Sequence, residues 1–143
     1  MGEEHIALAV EQALLGIDHG DKRIGLAYKP HDSSTPEAIG VYANSPSFMS
    51  QLSALATKLK VDTVVVGLPR DIHGNDTAQT LKARAFAGRL ADETGLHIIL
   101  HDEFTTSERA RERLGAKSRD ELKRQLDAVS AVILLEDYLG SMA

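Results

Sequence analysis

No cysteine occurs among the 143 residues, which removes a disulfide framework, a thiolate zinc site and a cysteine nucleophile together. The composition suits a reducing compartment. Long apolar runs are missing as well: none approaches membrane-spanning length, and Met1 to Gln12, with Glu3, Glu4 and Glu11, lacks the basic start and apolar core of a signal peptide. The expectation is a soluble, cytoplasmic protein. Nor is there an excess of positive charge, since the formal net charge of −5 argues against gripping nucleic acid through a global positive field. Repeats, low-complexity tracts and interdomain linkers are absent too. The organisation expected is an N-terminal extension at 1–12 and one domain over 13–143.

What the chain does have is three acids in recognisable frames: Asp18 in LLGIDHGDKRIG, Glu103 in IILHDEFTTS and Asp127 in LDAVSAVILL. Convergent carboxylates are hard oxygen ligands, suited to Mg²⁺ or Mn²⁺ and to metal-assisted phosphodiester chemistry. Each acid alone admits a plainer reading. Asp18, followed by Gly20, fits a hairpin turn; Glu103, at a strand end, fits a solvated loop, with its neighbour Asp102 either an orienting acid or a helix-start acid; Asp127 fits the solvated edge of a helix. Asp127 interrupts an apolar stretch, so burial would require a metal or a hydrogen-bonded partner. Lys22, Arg23, Arg70 and His73 lie in turns beside these frames and are candidate phosphate contacts, although Arg70 and His73 fit an ordinary strand-to-helix loop equally well. His101 is a packing residue or a proton shuttle. From Glu108 to Arg124, seven basic residues face four acidic ones, a salt-bridged helical surface or a phosphate-tracking edge.

The pattern gives strands over Ala13–Asp18, Arg23–Tyr28, Ala38–Tyr42, Val61–Leu68 and His97–His101. TVVVGL has the continuous β-branched character of a central strand covered on both faces. Helices are expected after a Ser45 cap with Pro46 in the first turn, from Asp76 to about Glu93 with Leu81, Ala85, Gly88, Leu90 and Ala91 inward, and at the capping boxes Thr105/Glu108 and Ser118/Glu121. The last helix carries Leu122, Leu126, Val129 and Ile133 as its core stripe. This order describes an α/β fold, a mixed central sheet of about five strands flanked by helices.

Four segments, GIDHGDKRIGLA, VVVGLPRDIHGN, LHDE and LDAVSAVILLEDYL, occur in the order and spacing of the YqgF family, also called RuvX, which the chain resembles from Leu14 to Leu139. That family consists of Holliday junction resolvase-like proteins with a ribonuclease H-like fold. The resemblance implies a nuclease using Mg²⁺ or Mn²⁺, with Asp18, Glu103 and Asp127 as catalytic metal ligands. Maturation of the 5′ end of pre-16S rRNA in ribosome biogenesis is the implied role. Two departures stand out: Phe104 occupies the place of the family's usual arginine, and Ser130 the place where related resolvases carry a further acid. Two other readings stay open. A DNA junction resolvase would call for a homodimer with two sites about a two-fold axis, and an RNA-binding factor with a decayed site would keep binding without cleavage.

Overall fold

The computed structural model describes residues 11–103 and 119–142, with side chains in the second segment from 126 onward. Its strands are β1 (Leu14–His19), β2 (Arg23–Lys29), β3 (Glu37–Ala43), β4 (Thr63–Pro69) and β5 (His97–Glu103); its helices are α1 (Phe48–Leu59), α2 (Ala78–Thr94) and α3 (Arg119–Ser141). The five strands form one sheet in the order β3-β2-β1-β4-β5. β1 pairs antiparallel with β2 and β2 with β3, whereas β1, β4 and β5 run parallel. This is the mixed sheet expected. β4 is buried along almost its whole length, as its β-branched run requires of a strand covered on both faces.

Strand alternation sorts the side chains between two layers. Leu15, Ile17, Ile24, Leu26, Val64 and Val66 meet Phe48, Leu52 and Ala56 of α1 and Phe86, Ala87 and Leu90 of α2 in the larger core. Leu14, Ala27 and Val65, one step out of phase, meet Ala131, Leu134, Leu135 and Tyr138 of α3 on the opposite face.

The helix starts differ from expectation for local reasons. α1 begins at Phe48 with Ser47 as its cap, because the Phe48 amide bonds the Ser45 carbonyl at 3.0 Å and the Ser45 and Ser47 hydroxyls bond each other at 2.9 Å. α2 begins after Thr77, whose side chain forms a reciprocal capping box with Thr80, while Asp76 is engaged outside the helix by Arg70 and Arg84. That phase buries Thr80, Ala83, Phe86, Ala87 and Leu90, leaving Leu81 59% exposed and Ala85 and Gly88 on the surface. Gly95 closes the helix as expected, at φ 72°. In α3 the buried set is Ala128, Ser130, Ala131, Ile133, Leu134, Leu135 and Tyr138; Leu126 and Val129 are only half-buried. The Thr105/Glu108 capping box, Ser118 and the basic stretch from Glu108 to Lys117 lie outside the described residues, as does most of the 1–12 extension. Among the described residues no helix is long and apolar enough to cross a membrane.

Candidate carboxylate site

Asp18, Gly67 and Glu103 sit at the carboxyl ends of the three parallel strands, the edge where open α/β sheets place their ligands. Asp18 has the parity of Leu14 and Gly16, and Glu103 that of Ile99, so both side chains rise on the α3 face. β4 stands between their strands, which puts the two backbones about 10 Å apart. Glycine at position 67 removes the obstacle. A Cβ there would lie 2.6 Å from Glu103 Oε2 and 3.1 Å from Oε1, so the glutamate side chain lies across the space that Gly67 leaves empty. Glu103 is buried and hydrogen-bonds the Asp18 carboxyl. A shorter Asp at 103 would fall short of this contact.

The third acid arrives from above. Gly25 pairs with Asp18 across the β1–β2 ladder, and α3 lies so close to it that a Cβ on Gly25 would overlap the carbonyl group of Asp127. Gly16 admits α3 in the same way, 2.6 Å from Leu135 Cγ. Asp127 Oδ2 meets Arg23 Nε at 3.2 Å, and that arginine extends from the same face of β2. The expectation that a partner stabilises this acid therefore holds, and the partner is Arg23.

Electrostatically the cluster is overcharged. Burial, then the charges of Glu103 and Asp127, then the bond from Glu103 hold the Asp18 carboxyl well above the usual carboxylate range. Burial also raises Asp127, and Arg23 offsets part of the effect. Among the described residues no three acidic or histidine side chains are arranged to hold one ion. Asp18 and Glu103 form the tight pair, and Asp127 turns to Arg23 at its edge. A buried Asp18 carboxyl beside Glu103 fits a divalent cation, because its positive charge offsets both the burial and the neighbouring negative charge that raise Asp18.

The four predicted phosphate contacts divide. Lys22 and His73 are exposed, in the β1–β2 turn and in the loop after β4. Arg23 is 44% exposed beside Asp127. Arg70 is spent elsewhere: its guanidinium reaches Asp102 Oδ1 at 2.9 Å and also pairs with Asp76, which holds Arg84 at 3.1 Å. It braces the β4–α2 loop against β5. His101 packs edge-on against Tyr138 at 5.8 Å between ring centroids, consistent with a packing residue. Sequence reasoning missed His19, whose ring stacks on Phe86 at 4.4 Å and whose Nε2 meets Asn44 Nδ2 at 3.2 Å. Burial lowers its pKa below the ordinary imidazole range. It lines a cleft of about 250 Å³ with Lys82 and Arg89 on the far face of β1. The larger groove, about 900 Å³, opens beside Ala13, Val61 and Leu96 at the opposite end of the sheet from the acids.

Three comparisons bear on this geometry. The model of the RuvX family, described as Holliday junction resolvase, matches residues 12–141. A protein of Pectobacterium atrosepticum is 36% identical over 133 residues, covering 89% of this chain and 94% of its own; one of Alcanivorax borkumensis is 32% identical over 132 residues, covering 91% and 97%. Each bears the provisional name pre-16S rRNA nuclease. Among solved structures, fowlpox virus resolvase in complex with Holliday junction DNA superposes with a TM-score of 0.55 at 11% identity, covering 92% of this chain and 99% of that one. Thermus thermophilus RuvC gives 0.50 at 15% identity, covering 92% and 96%. The two structures share the ribonuclease H-like fold with this chain. Near full-length agreement in sequence, together with an acidic pair on the parallel edge of that fold, makes the chain a member of the RuvX family.

Proposed function

We propose that this chain is a divalent-metal-dependent nuclease that hydrolyses phosphodiester bonds, acting on the 5′ region of precursor 16S rRNA. The observation that carries the reading is the Asp18–Glu103 pair, buried together across Gly67 at the open edge of the sheet. Nothing in the fold needs two acids there, and burying them costs stability. The relatives' names supply the substrate.

In this reading Asp18 and Glu103 would hold Mg²⁺ or Mn²⁺, with Asp127 joining them from the edge of the pair, in the two-metal manner. A bound cation would supply charge stabilisation at the cleaved phosphate and a water acidic enough to attack it. The remaining work belongs to the chain. Asp18 is fixed by strand pairing, so its carboxylate does not wander; Glu103 is fixed by the gap over Gly67. Arg23 uses Nε on Asp127, and its other N–H groups are free in chemistry to meet a substrate phosphate. Lys22 adds a second cation from the same turn.

The test is cleavage of a pre-16S 5′-leader RNA, a matched single-stranded DNA and a four-way DNA junction, with Mn²⁺ or Mg²⁺ and with chelator, by the native protein and Asp18→Asn. Metal-dependent cutting of the RNA, lost in the variant, is the expected result. Preferential junction cutting by a dimer moves the assignment to the resolvase that the family description names. Binding without cleavage of any substrate overturns the nuclease reading.

A further inference from the structure

The loop from Arg70 to Asp76 spends almost every polar group on its own shape. Arg70 and Asp76 form an isolated antiparallel bridge, and the Asp71 amide bonds the Asn75 carbonyl at 3.1 Å. Asp71 Oδ1 accepts from the amides of His73 at 2.9 Å and Asn75 at 2.8 Å, while Gly74 turns the chain at φ 80°. Arg70 ties the base of the loop to Asp102, and its amide bonds the Glu103 carbonyl at 3.3 Å. The loop is therefore ordered before any substrate arrives.

At its tip stands Ile72, 90% exposed. A lone exposed apolar residue is ordinary on a protein surface. This one differs by its mounting and its place. It is two residues beyond the amide bonded to Glu103, so the chain holds its Cα within about 7 Å of that of Arg70, at the edge where the acids open. The loop's own cation, Arg70, is committed to Asp102 and Asp76. Beside the exposed His73 imidazole, what this loop presents at its tip is a branched hydrocarbon. Isoleucine is among the side chains that press between base steps and unstack them.

Resting on the nuclease reading above, we propose that Ile72 packs against a nucleobase beside the scissile phosphodiester and holds the strand unstacked there. The preferred substrate is then an RNA strand with an unpaired base at that position.

The experiment is a double cycle on a single-stranded RNA in Mn²⁺: native protein and Ile72→Ser, each on the intact strand and on strands made abasic at each nucleotide flanking the cut. Ile72→Ser should raise KM about tenfold on the intact strand with kcat nearly unchanged, since a hydroxyl cannot replace the apolar contact with the base. Removing the contacted base should raise the native protein's KM similarly, the two losses together should add nothing, and Ile72→Leu should restore the native value. Equal KM for native protein and Ile72→Ser, or a variant penalty that is the same with and without the base, overturns the proposal while leaving the nuclease reading intact. A native protein that cuts no RNA or DNA overturns both.

Discussion

The two faces of the sheet are built from opposite materials. Under α1 and α2 the strands present Leu15, Ile17, Ile24, Leu26, Val64 and Val66, and the helices reply with Phe48, Leu52, Phe86 and Leu90. Under α3 the same strands keep Leu14, Ala27 and Val65 in a smaller core but also present Gly16, Gly25 and Gly67, and what enters the glycine spaces is helix backbone, Leu135 and the carboxyl group of Glu103. One face gains stability from side-chain volume; the other gives volume up so that acids can approach one another. The comparison separates folding from chemistry across a layer one strand thick.

Substitutions at the two faces should therefore fail in different ways. The largest effect is expected at Gly25→Val, where the added carbons overlap the Asp127 carbonyl and α3 cannot seat; urea unfolding should find no cooperative native state. Phe86→Ala, on the apolar face, should cost about 3–5 kcal/mol of stability, read from thermal or urea midpoints, yet leave metal-dependent cleavage near native well below the midpoint. A parallel loss of activity would show that the faces are not separable. Gly67→Ala should invert that outcome. Displacing Glu103 by even a few tenths of an ångström should lower cleavage about 10–100-fold, with a small change in midpoint.

The smallest effect concerns pH. Because Asp18 titrates above its ordinary value of 3.8, the metal-free native chain retains a proton that the unfolded chain releases at lower pH. Its contribution to stability is present in full below 3.8 and is lost as pH rises through the native pKa. Melting in chelator should therefore show stability falling as pH rises across that window. Asp18→Asn should flatten this slope and raise the neutral-pH midpoint by a few degrees. A variant with the native slope would mean that Asp18 is not the group that carries it.

Strands were legible because TVVVGL and the turn at Gly20 and Asp21 carry their own signals, and Gly95 marked the end of α2. The inward face of α2 was legible at Leu90 but not at Leu81, Ala85 and Gly88. Leu81, Ala85 and Gly88 repeat at helical spacing as well as Thr80, Ala83 and Phe86 do, and only the capping box at Thr77, with Thr80 bonded to the Pro69 carbonyl, fixes the phase. In α3 the run from Ala128 to Leu135 is apolar on nearly all sides, so its stripe could be drawn in several registers. The three acids could be named from their frames, but their distances depend on partners far away in sequence. Gly67, a glycine inside a β-branched run, was the available signal for the Glu103 crossing. The diversion of Arg70 to Asp76 and Asp102 had no local signature.

The order in which these parts leave the ribosome gives the distance between Glu103 and Asp127 in the chain a further meaning. β1 to β5 can emerge and pair with Asp18 and Glu103 already in place, but Asp127 is translated only after them, and the helix that carries it closes over Gly25 later still. A nascent chain thus holds the Asp18–Glu103 pair and an Arg23 without its acid. The Arg23–Asp127 contact is therefore made after the acidic pair, by the helix that Gly25 lets settle onto the finished sheet.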